Sequence, residues 1–294
     1  MKHIFIINPK SGNKKALTLI PLIKSSFSDI QDEYEILITK YPGHGTELSR
    51  KYCQDDKARL YAVGGDGTIN EVLNAVAEQK CSMGIIPAGS GNDFFRTIYY
   101  DNNDIKNLIK LTINGAEELY DVGKINNKYY VNITSVGFDA DVLKIALKLK
   151  RYPLIHGSFL YLVGAIVTSI GYKCKHYELT IDGKKLSGDY LMITAANGRY
   201  YGGGMSPTPK ADPQDGMLDI CLISKISNFK ILRFMNLFIK GTHGIEKEVS
   251  FYRAKNLTIH SESEITLNID GELFFIREAV FELIPSGVKI VRPN

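Results

Sequence analysis

The chain has 294 residues with a hydrophobic fraction of 44%, a charged fraction of 23% and a formal net charge of +4. This length allows two domains or one large one, and so mild a charge excludes the strongly basic class of nucleic-acid-binding proteins. The four cysteines are far apart in sequence, which argues against a zinc site or a disulfide framework and favours a reducing cytoplasm. The first apolar run, residues 4–7, is too short for the core of a signal peptide.

The first third of the chain alternates between patterns typical of strands and of helices. Short apolar runs predict strands at residues 4–7, 35–39, 60–63 and 83–87, and the remaining pattern predicts helices at 16–27, 44–52, 69–76 and 105–113. This order predicts a parallel sheet covered by helices on both faces. Ligands bind such sheets at the carboxyl ends of the strands, where polar and glycine-rich loops follow here.

The pattern changes near residue 121. A turn at Asp182-Gly183 and alternating apolar residues predict antiparallel strands with one or two inserted helices, and the strands fall at residues 122–133, 177–181, 190–195, 218–223, 256–260, 265–269, 274–275 and 279–284. We therefore predict an α/β domain over residues 1–122 and a β-rich domain over 123–284. The last run, 288–291, either stays in the β-rich domain or returns to the first sheet, in which case 285–294 complete the first domain.

The most informative motif is Gly64-Gly65-Asp66-Gly67-Thr68, which stands between a predicted strand and a predicted helix. Glycines let backbone N–H groups approach an anion, and a helix N-terminus adds unpaired donors and a partial positive charge, so the motif is typical of a phosphate site. Asp66 repels phosphate unless a cation lies between them. The motif therefore indicates phosphoryl transfer, with Mg²⁺ or with a proton taken from a substrate hydroxyl. The alternative is a plain tight turn.

Two further polar loops follow strands of the same predicted sheet, at residues 8–12 and 87–93. Both are compatible with phosphate. Lys10, Lys14 and Lys15 either contact phosphates or are solvated loop lysines. The chain has no Gly-x-x-x-x-Gly-Lys-Ser/Thr motif, which excludes a P-loop enzyme, and no Gly-x-Gly-x-x-Gly fingerprint of dinucleotide binding after a strand.

These motifs belong to a longer series that runs in order along nearly the whole chain. The series is Asn8-Pro9-x-Ser11-Gly12, Gly64-Gly65-Asp66-Gly67-Thr68-Ile69-Asn70-Glu71, Pro87-x-Gly89-Ser90-x-Asn92-Asp93-Phe94, Asp121-Val122-Gly123, Asn132-x-x-Ser135-x-Gly137-Phe138-Asp139, Asp215-Gly216-x-Leu218-Asp219 and Asp270-Gly271-Glu272. In this series of motifs the chain resembles the diacylglycerol kinase catalytic domain family, and most of all the soluble bacterial lipid kinases. Sphingosine and ceramide kinases are more distant. NAD kinases and phosphofructokinases share the glycine-aspartate motif and the α/β fold but not the later motifs.

The resemblance implies an N-terminal parallel-sheet domain like that of NAD kinases and phosphofructokinases, a C-terminal β-rich sandwich domain, and an active site in the cleft between them. It also implies that ATP binds in this cleft, with contacts from Asn8, Pro9, Lys10, Ser11, Gly12, Thr39, Gly64, Gly65, Asp66, Gly67, Thr68, Ile69, Asn70 and Ser90. The chain has Ser90-Gly91 where Thr-Ala or Thr-Val is also common. The hydroxyl is kept, so we expect little functional consequence.

The resemblance further implies the acidic residues that serve the chemistry. Asp66, Asp93 and Asp121 are similar to the set that holds the catalytic Mg²⁺, partly through water. Asp212, Asp215 and the carbonyl of Met217 match a second metal position, although from spacing alone this segment is also typical of a plain turn. Glu272 corresponds to the general base that accepts the proton of a lipid hydroxyl. Its Asp-Gly-Glu context also predicts a hairpin turn, and a turn can present the carboxylate.

Two stretches raise the question of how the protein meets a lipid. Residues 154–172 carry no charge, and residues 225–240 carry no acidic side chain. The first stretch has about the length that spans a bilayer, but it contains polar residues and glycines, which favours a buried or amphipathic helix. Apolar faces edged by lysines suit transient docking on an anionic membrane surface. The alternative is that both faces pack inside the second domain.

The sequence is therefore interpreted as that of a cytoplasmic, ATP- and Mg²⁺-dependent lipid kinase, with diacylglycerol as the leading substrate and phosphatidate as the product. Sphingosine, ceramide and polyprenol are other lipid acceptors. An NAD kinase-like phosphotransferase with a soluble acceptor is the alternative of a different class. A non-catalytic sensor would need a broken site, and every expected carboxylate is present. The resemblance also allows a homodimer, because related proteins are often dimers.

Overall fold

The computed structural model describes residues 1–99, 104–149 and 158–293. The chain divides into two compact units. The first consists of Met1–Val122 and Pro285–Asn294, and the second of Gly123–Ile284.

The first unit alternates strands and helices. Its elements are β1 (Lys2–Ile7), α1 (Lys15–Thr18), α2 (Ile20–Ser26), β2 (Glu33–Ile38), α3 (His44–Arg50), β3 (Ala58–Gly64), α4 (Asp66–Val76), β4 (Ser82–Pro87), α5 (Asp93–Ile98), α6 (Ile105–Ile113) and β5 (Ala116–Ile125), which runs on past Val122. The predicted helix over 16–27 is two helices, because Pro21 stands in the first turn of α2, where its missing N–H is tolerated, and cannot continue α1.

Strands β1 to β4 form a parallel sheet, as predicted. Its strand order is β2, β1, β3 and β4, followed by the end of the last strand, β13 (Glu272–Arg292). Lys289 to Val291 of β13 lie opposite Ser82 to Gly84 of β4, so residues 288–291 return to the first sheet. β1 and β3 are buried almost throughout, which suits strands covered on both faces.

Aromatic and branched side chains form the core of this unit. Phe5 stacks on Tyr61 with their ring centroids 4.5 Å apart. Ile23 of α2 and Ile109 of α6 belong to the same buried cluster. The helices α2 and α6 therefore pack on the sheet through this cluster.

The second unit is rich in strands. Its elements are β6 (Lys128–Tyr130), β7 (Ile133–Gly137), α7 (Phe138–Leu149), α8 (Ser158–Ser169), β8 (Lys175–Ile181), β9 (Lys184–Ala196), β10 (Leu218–Ser224), α9 (Asn228–Ile239), a 3-10 turn (His243–Ile245), β11 (Val249–Ala254), β12 (Asn256–Ile269) and the start of β13. The predicted turn at Asp182-Gly183 joins β8 to β9, and both residues have positive φ, 42° and 86°. Such values suit Asp-Gly in a tight hairpin.

The strands of the second unit pair antiparallel in the order β11, β10, β9, β7, β12 and β13, and β8 pairs with both β9 and β12. The strands predicted at 256–260 and 265–269 are one continuous strand, β12, whose pairing with β13 shifts between His260 and Ile265. A local irregularity of this kind interrupts the alternation on which the prediction depends, without ending the strand.

Two buried clusters fill the second unit. One lies within the strands and includes Tyr177, Ile193 and Leu267. The other includes Val142 of α7, Ala165 of α8 and Phe234 of α9. The start of the uncharged stretch, residues 154–157, lies outside the described residues. No helix within the described ranges is long and apolar enough to cross a membrane.

Candidate active site

Three loops meet at the carboxyl ends of β1, β3 and β4. Asn8, directly after β1, donates its backbone N–H to the Val63 carbonyl of β3 over 3.2 Å. Ala88, directly after β4, donates to the Gly64 carbonyl over 2.8 Å. The parallel strands thus bring together the glycine-rich and polar loops that the sequence separates by up to eighty residues.

Glycine is required where these loops touch. A Cβ at Gly12, whose φ is +56°, would overlap the carbonyl oxygen of Ala88. A Cβ at Gly65 would lie 3.0 Å from the Cα of Gly89. The Ser11 hydroxyl accepts a hydrogen bond from the Gly65 N–H at 3.3 Å. The loop after β3 therefore touches the backbone of Gly89 on one side and the Ser11 hydroxyl on the other, and a side chain at Gly65 would crowd the Gly89 contact.

The start of α4 lies at this meeting point. Gly65 is the N-cap residue, and its carbonyl accepts the N–H groups of Thr68 at 2.9 Å and Ile69 at 3.1 Å. A Cβ at Gly67 would meet nothing within 4 Å, so the first turn is open at this residue. A helix N-terminus with glycine backbone around it and an open first turn is suited to bind phosphate.

Two carboxylates point toward the same place. Asp66 Oδ1 accepts the Phe94 N–H at 3.2 Å. A Cβ at Gly91 would lie 3.1 Å from Asp66 Oδ2 and 3.1 Å from Asp93 Oδ2, so both oxygens flank this glycine. Asp93 is buried, and the Arg96 guanidinium lies 3.4 Å from its Oδ1. Two hard oxygen donors therefore face the same glycine next to the phosphate-type loop.

This donor set suits Mg²⁺ as proteins usually bind it, through one or two carboxylates, with substrate phosphates and water completing the shell. In the described part of the chain, no three His, Cys, Asp or Glu side chains are grouped closely enough to hold a metal ion. Asp121, the third predicted member, is buried, and its Oδ1 accepts the Ser286 N–H at 2.8 Å. The set of Asp66, Asp93 and Asp121 stays a prediction, with the first two members placed together.

The other predicted nucleotide contacts differ in exposure. Lys10 and Ser90 are exposed, and Asn70 is half-buried. Pro9 is half-buried next to Asn8, whose side-chain oxygen accepts the Lys10 N–H at 3.0 Å. Thr39 is 7% exposed, and its N–H donates to the Ile7 carbonyl at 2.9 Å.

Two residues that support the site were not among the predicted site residues. The Glu71 carboxylate accepts the backbone N–H groups of Gly43 at 2.9 Å and Gly45 at 2.8 Å, which ties the start of α3 to α4. Arg96 pairs with Asp93, as described above. The series of motifs included Glu71, but only the structure shows what it bonds.

The predicted second metal position is a loop before β10. Asp212 Oδ1 accepts the Gln214 N–H at 3.1 Å, and Asp215 Oδ1 accepts the Met217 N–H at 3.1 Å. These bonds make the segment a compact turn, as spacing alone predicts. Arg253 forms an ion pair with Asp215, so a cation of the protein itself contacts this loop.

A third carboxylate lies close to the same loop. Burial raises the pKa of Asp219 to about 6, against the lowering effect of Arg253, and the charges of Asp215 and Asp212 raise it further. The negative charges of Asp212 and Asp215 therefore act on Asp219, and a bound cation would reduce this repulsion. The arrangement is compatible with a metal at Asp212, Asp215 and the Met217 carbonyl, which remains a prediction.

Glu272 follows a two-residue hairpin turn between β12 and β13. The turn residues Asp270 and Gly271 have φ of 45° and 93°, as a tight Asp-Gly hairpin requires. The Asp270 carboxylate accepts the N–H groups of Ile133 at 2.9 Å and Val131 at 3.2 Å. Glu272 itself is exposed. Both predictions for this segment are therefore compatible, because the turn presents the carboxylate to solvent.

Comparison with known proteins agrees with the motif series. A family model for the diacylglycerol kinase catalytic domain matches residues 2–125, and a model for the YegS C-terminal NAD kinase beta sandwich-like domain matches residues 132–292. The chain belongs to the diacylglycerol kinase family. It is therefore an enzyme of the phosphotransferase class with an alcohol acceptor, built from the two domains of that family.

Individual relatives in the diacylglycerol kinase family cover most of the chain. The diacylglycerol kinase of Bacillus subtilis (strain 168) is 25% identical over 298 residues, covering 100% of this chain and 97% of its own. The diacylglycerol kinase of Mycobacterium tuberculosis (strain H37Rv) is 31% identical over 242 residues, covering 80% and 77%. A crystal structure of a diacylglycerol kinase from Bacillus anthracis str. Sterne has a TM-score of 0.71 at 24% identity, covering 99% of this chain and 96% of that one, which shows the shared fold.

Proposed function

We propose that this protein is an ATP- and Mg²⁺-dependent lipid kinase that transfers the γ-phosphate of ATP to the free hydroxyl of diacylglycerol and so forms phosphatidate. The observation that carries the proposal is the meeting of three loops at the start of α4, where Asp66 and Asp93 flank Gly91. Backbone amides at a helix N-terminus bind phosphate, and carboxylates beside them suit a cation that lies between protein and phosphate.

The nucleotide would lie along the loops that follow β1, β3 and β4. Gly67 faces open space in the first turn of α4, which leaves room for a phosphate group. Lys10 and Ser90 are exposed beside these loops and are available to phosphate oxygens. Thr39 is buried, so we expect its side chain to support the loop after β2 from within.

Asp66 and Asp93 would hold Mg²⁺, directly or through water, with Asp121 as a further member of the set. A bound Mg²⁺ neutralises phosphate oxygens and fixes their geometry, which is the main demand of phosphoryl transfer. Arg96, paired with Asp93 at 3.4 Å, keeps that carboxylate in its orientation. A second cation would be held by Asp212, Asp215 and the Met217 carbonyl. Arg253 now forms an ion pair with Asp215 and would have to move away for this cation to bind.

Glu272 would act as the general base. Its carboxylate is exposed on a hairpin turn, where it can approach a lipid hydroxyl and accept its proton as the oxygen attacks phosphorus. The turn is held by the Asp270 carboxylate, which is bonded to backbone N–H groups at the start of β7. A rigid turn is what a base needs, because proton transfer depends on distance.

Diacylglycerol is the proposed acceptor because the relatives named above are diacylglycerol kinases. The test is incubation of the pure protein with labelled ATP, Mg²⁺ and dispersed diacylglycerol, sphingosine, ceramide or undecaprenol, with NAD as a soluble acceptor. We expect labelled phosphatidate to dominate. A labelled product only from NAD would contradict the lipid kinase proposal, and a product only from another lipid would correct the substrate.

The second unit would bring the enzyme to its lipid. On α8 and just after it, Ile166, Val167 and Ile170 are 43%, 46% and 78% exposed, and they are spaced to share one face of a helix. No acidic residue occurs between Asp141 and Glu178. We propose that this face of a cytoplasmic enzyme docks reversibly on anionic membrane.

Flotation with vesicles tests the docking proposal. We expect recovery with phosphatidylglycerol vesicles at low salt, less recovery with neutral vesicles, and loss of binding in Ile170→Asp. Equal recovery with neutral and anionic vesicles would contradict the charge-dependent docking. Sedimentation of the protein alone tests the homodimer.

A further inference from the structure

A buried carboxylate outside the proposed nucleotide, metal and base residues lies at the start of α7. Asp139 is 9% exposed and follows β7 through Gly137, whose φ is +101°. The Ser135 hydroxyl donates to Asp139 Oδ2, and the Asn268 side-chain amide donates to the same oxygen over 3.5 Å. Burying a carboxylate costs free energy unless hydrogen bonds compensate, so a residue of this kind needs a structural or functional reason.

The strand register brings these three side chains together. Asn268 on β12 lies directly opposite Ser135 on β7. Residues that lie directly opposite each other in an antiparallel pair place their side chains on the same face of the sheet. Asp139, in the first turn of the helix that follows β7, is thus reached by donors from both strands. The network joins α7 to β12.

Asn268 connects this network to the hairpin turn. Its side-chain oxygen Oδ1 accepts the Gly271 N–H at 2.9 Å, while its amide nitrogen points to Asp139. A side-chain amide has one acceptor end and one donor end, and an ionised carboxylate only accepts. Asp139 therefore selects the donor end of Asn268 and directs the acceptor end to Gly271.

Gly271 is the residue immediately before Glu272. In the register of β12 and β13, Glu272 lies opposite Ile269, so the two residues between them form the whole turn. The Asp270 carboxylate binds one side of this turn to the start of β7, and Asn268 binds the other side through Gly271. The backbone that carries Glu272 is thereby fixed at two points.

We propose that Asp139 and Asn268 are positioning residues that hold the Glu272 turn in place, a role that rests on the proposed function of Glu272 as the base. Neither residue needs to contact the substrate. Asp139 acts by orienting the Asn268 amide, and Asn268 acts by bonding the backbone beside Glu272. Without them the turn would keep the Asp270 contact but gain freedom at Gly271.

Hydrogen exchange at Gly271 tests the contact itself, independently of any enzymatic activity. The chain has 26 glycines, so selective ¹⁵N-glycine labelling of the full-length protein gives a spectrum in which the Gly271 amide can be followed. We expect its exchange to accelerate by about tenfold in Asn268→Ala and by a smaller factor in Asp139→Ala. Should Asn268→Ala not fold, Ser135→Ala weakens the same network by removing one donor to Asp139.

Kinetics test the consequence for the reaction. We expect kcat to fall by about 10- to 100-fold in Asn268→Ala while KM for ATP stays unchanged, since only the geometry of the base is disturbed. Thr134→Val is the matched control. Thr134 is buried on β7 beside Ser135, its side chain points to the other face, and its hydroxyl donates to the Ala195 carbonyl at 3.1 Å. This control loses a buried hydrogen bond on the other face of β7 and leaves the hydrogen bonds of Asp139, Asn268 and Gly271 in place.

The outcomes separate this inference from the proposed function. Unchanged Gly271 exchange in folded Asn268→Ala would overturn the inference, and so would equal acceleration in Thr134→Val, which would indicate general loosening. Faster Gly271 exchange with unchanged kcat would overturn the role in catalysis. A wild-type protein without lipid kinase activity would instead contradict the proposed function, and the exchange data would still decide whether Asn268 holds the turn.

Discussion

The approach of the loop after β3 to the loop after β4 makes Gly89 a sensitive position of the candidate site. In Gly89→Ala the new Cβ would overlap Gly65 Cα and would lie 2.9 Å from Asn92 Oδ1 and 3.1 Å from the Gly65 nitrogen. Carbon atoms pack best at about 3.5–4.0 Å, so the two loops would have to separate. Neither neighbour is free to move, because Gly65 caps α4 and Asn92 Oδ1 accepts the Gly89 N–H at 2.9 Å.

The size of the effect follows from this overlap. Overpacking a site whose neighbours cannot move costs about 1–3 kcal/mol. For domains of this size, each kcal/mol lowers the melting temperature by about 2–4 °C, so we expect a fall of about 2–12 °C for Gly89→Ala. Thermal unfolding followed by circular dichroism, without ligand, measures it. The same experiment with ATP and Mg²⁺ reports on the loops as a binding site, and we expect the stabilisation by ATP to disappear.

Gly67→Ala is the matched control, because it is the same change in the same part of the fold. Its Cβ would meet nothing within 4 Å, and alanine favours a helix over glycine by about 1 kcal/mol. We expect unchanged or higher stability without ligand, but weaker stabilisation by ATP, since the new methyl group occupies the open space at the first turn of α4. Equal melting temperatures of Gly89→Ala and Gly67→Ala would refute the argument that the loop contact requires glycine.

Three further outcomes are expected. Asp66→Ala and Glu272→Ala should each abolish turnover in the labelled-ATP assay while the protein stays folded; we expect Glu272→Ala to melt near the wild type and Asp66→Ala to melt lower, because the Phe94 N–H loses its acceptor. Near-full activity in either variant would show that its assigned role is wrong. Burial raises the pKa of Asp139 to about 6, against about 3.9 in an unfolded chain. The native state therefore binds more protons between these pH values, and stability falls as pH rises through them. Denaturant titrations at pH 4 and 7 should show Asp139→Asn gaining on the wild type by up to about 3 kcal/mol, and equal differences at both pH values would contradict this. Asp121→Ala should cost about 1–3 kcal/mol by leaving the Ser286 N–H unbonded, whereas Asp121→Asn keeps an acceptor and should unfold like the wild type while needing more Mg²⁺ for activity. Wild-type stability of Asp121→Ala would remove the structural role.

The fold was predictable wherever neighbouring residues alone determine the element. Residues 105–113 were predicted as a helix and form α6, which buries one face. The spacing of the apolar residues on that face can be read from neighbouring residues alone. The break between α1 and α2 and the continuity of β12 were missed. Pro21 fits either inside a helix start or at a break, and a shifted register interrupts alternation without ending a strand, so neighbouring residues do not decide either case.

The site was predictable where a loop follows a strand, because parallel strands bring their carboxyl ends to one edge. The contacts that fix the loops were not. Gly12 touches Ala88 and Asp121 binds Ser286, and these partners are far apart in sequence. The motif that ends in Asp139 was recognised without a role, because its meaning depends on Asn268, more than a hundred residues later. Such pairs follow from strand register, which one sequence does not specify.

Hydrogen bonding divides the aspartates of the motifs into two groups: those that hold backbone segments in place and those that face the candidate site. Asp270 and Asp121 accept backbone N–H groups, so in the structure they hold a turn and the last strand. Asp66 also accepts one backbone N–H, through Oδ1, but its Oδ2 flanks Gly91 together with Asp93 Oδ2. Carboxylates beside the first turn of a helix repel a phosphate bound there, and a cation that lies between them and the phosphate would remove that repulsion. These contacts support the proposal that Asp66 and Asp93 form the centre of a Mg²⁺ site, and Asp121 is the member of the proposed set whose structural role must be separated from metal binding by experiment.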